Sequence, residues 1–177
     1  MRQNGRKKKG LAWWCPNLSY ACLRLGGLMS ISITELEQVL WDRIPLSRHM
    51  GVQLDSITPD QAVLNLPLKP NLNHKGTAFG GSIYSGCALA GYGLFLFSLQ
   101  ERGFTTNNIV ISEGSIDYTK PVDGDAEIIA QWRSQEERDV FFNSLKSRGK
   151  ARVQIEAQVV VQGKVSAHFY GTFVAIL

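Results

Sequence analysis

Between residues 73 and 85 the chain reads NHKGTAFGGSIYS, and this run holds the side chains and backbone best suited to chemistry on a carbonyl. Gly80 and Gly81 stand at the entrance to a long apolar stretch. A helix starting near Gly80–Ser82 presents unpaired backbone N–H groups and the positive end of its dipole. Glycines let a ligand carbonyl come close to that backbone. When a nucleophile attacks such a carbonyl, negative charge develops on its oxygen, and one well-placed donor contributes on the order of 3 kcal/mol. The Gly80 and Gly81 amides are the candidate donors. The Asn73 side chain is a candidate to hold the nucleophilic water, or the loop itself. Ser85 and Tyr84, about a turn into the helix, and Thr77 in the loop could hydrogen-bond the carbonyl or the water. Each has a plainer alternative: a tight helix entry for the glycines, a turn residue for Asn73, core packing for Tyr84 and Ser85.

The elements that must position this run are legible from caps and periodicity. Ser32 and Thr34 are each followed three residues later by a glutamate, Glu35 and Glu37, the capping-box pattern. Ile33, Leu36, Val39 and Leu40 recur at helical spacing until Pro45 stops the run. Strand-like stretches 51–57 and 61–68 flank the turn Thr58-Pro59-Asp60. A polar loop, 69–77, leads to the near-continuous apolar segment 82–99. Gly86, Gly91 and Gly93 each cost such a helix about 1 kcal/mol against alanine, which points to close packing by a sheet wrapped around it. Strand 109–119, turn 121–125, strand 126–133, a helix capped by Ser134 and Glu137 and ending before Gly149, strand 152–161, the turn Gln162-Gly163 and strand 164–177 complete the chain. The sum is an α+β fold, an antiparallel sheet curled around one long central helix. Its open sheet edges invite pairing with a second copy.

Composition narrows the function classes. The 177 residues are 44% hydrophobic and 19% charged, which is globular. The net charge is +4, but residues 1–28 hold six basic side chains and no acid. The remainder carries 13 basic against 15 acidic residues, a net charge of −2. The basicity therefore belongs to the tail (residues 1–30, a disordered or mis-assigned start), and the domain, 31–177, has no charge that would attract nucleic acid. Pro16 and Arg24 break the tail's apolar run, so it does not read as a signal peptide. The apolar segment 82–99 reads as a buried helix, not a membrane span, because the downstream strands need an apolar partner. Cys15, Cys22 and Cys87 make no disulfide framework, and with His49, His74 and His168 scattered no metal site is expected. A cytoplasmic protein without a metal or cofactor is the expectation.

The run Asn73–Gly81 has the spacing of the phenylacetyl-CoA-type hotdog thioesterases, in which an asparagine precedes a His-Gly-Gly. Ser115–Val122 is similar to the strand and turn that follow the central helix there. More specifically, Asn-x-x-Gly-Thr-Ala-Phe-Gly-Gly-Ser with Tyr84 and Ser85 resembles the YiiD C-terminal-type thioesterases, over about residues 31–177. The resemblance implies a hotdog fold and hydrolysis of an acyl-CoA or acyl-carrier-protein thioester at a dimer-interface site. The partners implied are a small-molecule acyl-thioester, with coenzyme A as part of the substrate, and further copies of the chain as homodimer or homotetramer. Two positions depart from the phenylacetyl-CoA pattern. Phe79 stands where the histidine would be, and Ala88 stands where the helix would carry its acid. The best remaining base is Glu113, in the apolar strand 109–116, which in the hotdog arrangement can face a partner's helix entrance. Burial there would raise its carboxyl towards the range of a general base. The alternative is a solvent face made of Ile111, Glu113, Ser115 and Asp117. Lys75, Lys120 and Arg152 could meet coenzyme A phosphates, or be solvated surface; Phe79, Ile83 and Cys87 would line an acyl channel. A non-catalytic acyl-thioester binding module is the competing class, favoured by the departures at Phe79 and Ala88. A carrier-protein dehydratase is disfavoured, since His49 and His74 are poorly placed.

Overall fold

Ser32 starts the folded chain as its cap dictates. In the computed structural model, which describes residues 31–177 and so leaves the basic tail outside, helix α1 spans Ile33–Arg43. The Ser32 hydroxyl accepts the Glu35 amide at 3.2 Å and the Glu35 carboxylate accepts the Ser32 amide at 2.9 Å. These hydrogen bonds hold the Glu35 carboxyl below its ordinary value. The second cap pattern is used differently: Glu37 accepts the Leu54 amide at 2.9 Å, tying α1 to strand β1 (Gln53–Ile57). Pro45 ends α1 but also begins a short helix, α2 (Pro45–Met50), that the proline had hidden. At the first helical position its missing N–H costs nothing. Gly51, with φ 69°, closes α2, so the first strand begins two residues later than its apolar run suggests.

Six strands follow one another in space as β1-β2-β4-β5-β6-β3, every pair antiparallel. The others are β2 (Gln61–Leu66), β3 (Asn108–Tyr118), β4 (Ala126–Trp132), β5 (Lys150–Val161) and β6 (Lys164–Ile176). Gln162 and Gly163 join β5 to β6 with positive φ at both positions (49° and 75°), the twist a two-residue hairpin needs. The inner face of the sheet packs on helix α3 (Gly80–Glu101). Among the described residues α3 is the one helix long and apolar enough to cross a membrane, and 72% of its most apolar stretch is buried inside the fold.

Of the three glycines in the body of α3, Gly86, Gly91 and Gly93, two sit where the backbone meets the sheet. A Cβ at Gly86 would lie 2.5 Å from Ile128 Cδ1, and one at Gly91 would lie 2.7 Å from Phe173 Cζ. Gly93 differs, with Leu40 Cδ1 at 3.9 Å as its nearest neighbour. Beside Gly91 the buried Phe95 ring meets Phe141, Phe173 and Trp132 at centroid distances of 5.1, 5.7 and 6.1 Å. Phe141 comes from helix α4 (Gln135–Arg148), whose cap is half of the expected box. Ser134 accepts the Glu137 amide at 3.1 Å, while the Glu137 carboxylate turns towards Arg133.

Strand β3 is the sheet's last strand. Most of its residues are exposed, and the backbone on its far side meets no other strand among the described residues. A bulge at Ser112 inserts one residue between Ile111, opposite Phe173, and Glu113, opposite Thr172.

Candidate active site

The loop before α3 is folded on Asn73. Its side-chain oxygen accepts the amides of Lys75 (2.8 Å) and Thr77 (3.3 Å), and its amide nitrogen donates to Thr77 Oγ1 (2.9 Å) and the Ala78 carbonyl (3.2 Å). All the bonds an asparagine side chain readily makes are used inside the loop. Of the two roles open to Asn73, this geometry is that of the loop holder. Gly76, at φ 77°, makes the turn that brings Thr77 back to it.

Three further contacts seat the end of the loop. The Phe79 amide donates to the Asn71 carbonyl at 2.7 Å and the Ala78 amide to the Val122 carbonyl at 2.8 Å. The Tyr118 hydroxyl donates to the Gly80 carbonyl at 2.8 Å. Asn71 is itself buried, donating to the carbonyls of Met50 and Pro67 at 2.8 Å each. The first turn of α3 is thus anchored by β2–α3 loop residues and by the end of β3.

What is left open is the helix end itself. Phe79 occupies the cap position with no side-chain hydrogen bond. The first amide to find a helical partner is that of Ile83, on the Phe79 carbonyl at 3.1 Å. The N–H groups of Gly80, Gly81 and Ser82 have no acceptor among the described residues. Gly81 is exposed and Gly80 and Ser82 half-buried, so a ligand oxygen can reach them. The exposed Phe79 ring lies against Gly81, where a Cβ would collide with it. One turn on, the Tyr84 ring stands edge-on to Phe169 at 5.2 Å, with its hydroxyl pressed against Gly114 of β3. Ser85 is half-buried beside it. Cys87, expected to line an acyl channel, is fully buried within the protomer, and burial pushes its thiol up to about 12. Ile83 is also buried, and Ala88 half-buried, in the place of the missing acid.

Within one protomer Glu113 takes the solvent-face alternative. The bulge at Ser112 breaks the strict alternation that grouped Ile111 with Glu113. Ile111 takes the inner face with Phe173, while Glu113 pairs with Thr172 on the outer face. Its side chain is exposed rather than partly buried, and lines an open outer groove of about 1320 Å³ with Arg152, Val140 and Val174. Within one protomer the sheet therefore stands between Glu113 and the α3 N-terminus. Arg152 is on that outer face too, whereas Lys75 and Lys120 are exposed on the two segments that flank the site. Tyr118 is the residue that sequence reading passed over. It lies in the stretch Asp117-Tyr118-Thr119-Lys120-Pro121, and no local pattern reports a contact with a glycine 38 positions earlier.

Residues 33–177 match the model of the family described as "Putative thioesterase (yiiD_Cterm)". The chain belongs to that family. A solved structure described as a "putative thioesterase" from Shewanella oneidensis is 30% identical, with 82% of this chain and 97% of that one covered at a TM-score of 0.70. A protein of unknown function from Chlorobaculum tepidum TLS is 32% identical, with coverage of 83% and 98% and a TM-score of 0.75. A "Probable Thioesterase" from Pseudomonas aeruginosa shares the fold at 20% identity, with a TM-score of 0.71 over 85% of this chain and 99% of that one. The architecture of this thioesterase-family chain is the hotdog fold, as its elements lead one to expect.

Proposed function

We propose that the protein hydrolyses an acyl-thioester, of coenzyme A or an acyl carrier protein, at the N-terminus of α3. The observation that carries the reading is the set of three N–H groups, at Gly80, Gly81 and Ser82, that have no acceptor among the described residues and stand at the positive end of a 22-residue helix. The thioester carbonyl oxygen docks on them. Water adds to the carbonyl carbon, the resulting oxyanion is held by the same donors, and the C–S bond breaks as the carbonyl re-forms. The proton lost by water balances the thiolate, so the products are a carboxylic acid and a free thiol. Phe79 offers an apolar contact to the acyl group, Thr77, Tyr84 and Ser85 offer hydroxyls, and Lys75 and Lys120 offer cations to coenzyme A phosphates. The site works in a cytoplasmic homodimer or dimer of dimers. The reading is supported by the unpaired edge of β3, eleven residues long and bearing the exposed apolar side chains of Val110, Ile111 and Tyr118.

One observation favours a second reading, a module that binds acyl-thioesters without hydrolysing them. Helix α3 has no carboxylate before Glu101, and Glu113 is on the far face of the sheet. The deciding experiment follows thiol release by the full 177-residue chain from acyl-CoAs of graded length, with binding measured alongside. Hydrolysis of at least one substrate is expected. Binding without release from any of them would leave the binding module standing. Glu113→Gln is expected to turn over within about twofold of wild type, because its carboxylate faces away from α3. A loss of about a hundredfold, as for a missing general base, would return Glu113 to the site by way of a second copy.

A further inference from the structure

The Gly80 carbonyl and the Gly81 N–H are the two ends of one planar peptide group. Nothing that holds one end leaves the other free to turn. At the carbonyl end the Tyr118 hydroxyl donates at 2.8 Å, from a strand on the sheet's edge to the first residue of α3. At the amide end the N–H of the exposed residue Gly81 has no acceptor among the described residues. The helical ladder, which opens at the Phe79 carbonyl, also sets this peptide along the axis, but two consecutive glycines without a side-chain cap make the turn easy to fray, and Tyr118 is the side chain that holds it. A hydrogen bond accepted by a peptide carbonyl also polarises the group and makes its N–H a stronger donor.

Resting on the hydrolytic reading above, we propose that Tyr118 is a positioning residue for the reaction. By holding the Gly80 carbonyl it aims the Gly81 N–H at the substrate's carbonyl oxygen and strengthens that N–H where the oxyanion forms. The surroundings suit a neutral donor. The Tyr118 phenol is pushed above its ordinary value by partial burial, with the Cys87 thiol and Tyr84 phenol of α3 adding to the effect. Alanine at Gly80 would meet the Tyr118 Oη at 3.4 Å, an ordinary contact, so the hydroxyl touches this peptide without crowding it.

The test is Tyr118→Phe in the full chain, which keeps the ring and removes the hydroxyl. Ser112→Ala is the control, since it removes another β3 hydroxyl, on the Thr172 carbonyl at 3.3 Å, away from α3. Expected for Tyr118→Phe are a kcat lower by about tenfold, the effect of one neutral hydrogen bond, a KM within about twofold of wild type, and an upfield move of the Gly81 amide proton in ¹H–¹⁵N spectra. Ser112→Ala changes none of these. Wild-type kcat in Tyr118→Phe, or a loss of rate with the Gly81 resonance in place, overturns the proposal. Absence of thiol release by the wild-type chain would instead count against hydrolysis itself, and butyryl-CoA titrated into the labelled proteins then decides the positioning role. A Gly81 shift on binding that is diminished in Tyr118→Phe supports it; no Gly81 shift in wild type, or an equal one in both proteins, overturns it.

Discussion

In its first turn α3 carries two glycines, Gly80 half-buried and Gly81 exposed, whose neighbours are a loop folded on Asn73 and a tyrosine hydroxyl, while from Gly86 to Leu99 the same helix runs buried almost without interruption. Glycine occurs at both ends for opposite reasons. Gly80 has room for a Cβ, and Gly81 would meet only the exposed Phe79 ring, which can swing. Their value is access to the backbone. Gly86 and Gly91 have no room, because Ile128 and Phe173 occupy the space a Cβ would need. Stability is concentrated in the buried half and chemistry in the open one. A site at the end of a helix whose body is locked in a core is held still without being packed over.

The largest expected effect lies in the buried half. Phe95 is fully buried among Phe141, Phe173 and Trp132. Phe95→Ala is expected to lower unfolding free energy by about 3–5 kcal/mol, measured by urea denaturation. A loss below about 1 kcal/mol would mean that this aromatic cluster collapses around the gap and does not clamp the helix. Gly91→Ala comes next. The added methyl gains helix propensity but must displace the buried Phe173 ring, so a net loss of about 1–3 kcal/mol is expected. An unchanged denaturation midpoint would erase the distinction between the two kinds of glycine.

Much of this arrangement is legible in the sequence. The Ser32–Glu35 box, the Ser134 cap, the succession of helices and strands along the chain and the buried identity of the apolar helix follow from local chemistry, whereas the pairing of β3 with β6 does not. The glycines at 86 and 91 signal a close approach because glycine in a helix is otherwise a liability. Two features are not encoded locally. The bulge at Ser112 exists only in pairing with β6, and one inserted residue turns every following side chain to the opposite face. That is why Glu113 passes for a neighbour of Ile111. The Tyr118–Gly80 bond joins residues 38 apart, and no periodicity encodes a contact made by topology. Asn73 is legible as important, but its loop-folding hydrogen bonds become distinct from a catalytic role only once their partners are seen.

The smallest effect is the sharpest check on the comparison, because its sign is at stake. Gly93 lies in the buried half with Gly86 and Gly91, yet the nearest atom to a Cβ there is Leu40 Cδ1 of α1 at 3.9 Å, an ordinary contact. Its backbone is helical with no positive φ. Alanine at this position therefore costs no overlap and relieves the helix of glycine's entropic penalty, up to about 1 kcal/mol. For a chain of this size such a gain raises Tm by about 2–4 °C, readable by calorimetry. Thiol release should not change, since the substitution is more than two turns from Gly81. If Gly93→Ala instead lowers Tm as Gly91→Ala does, burial alone rather than a named colliding side chain decides where α3 tolerates a methyl group, and the contrast between Gly91 and Gly93 fails.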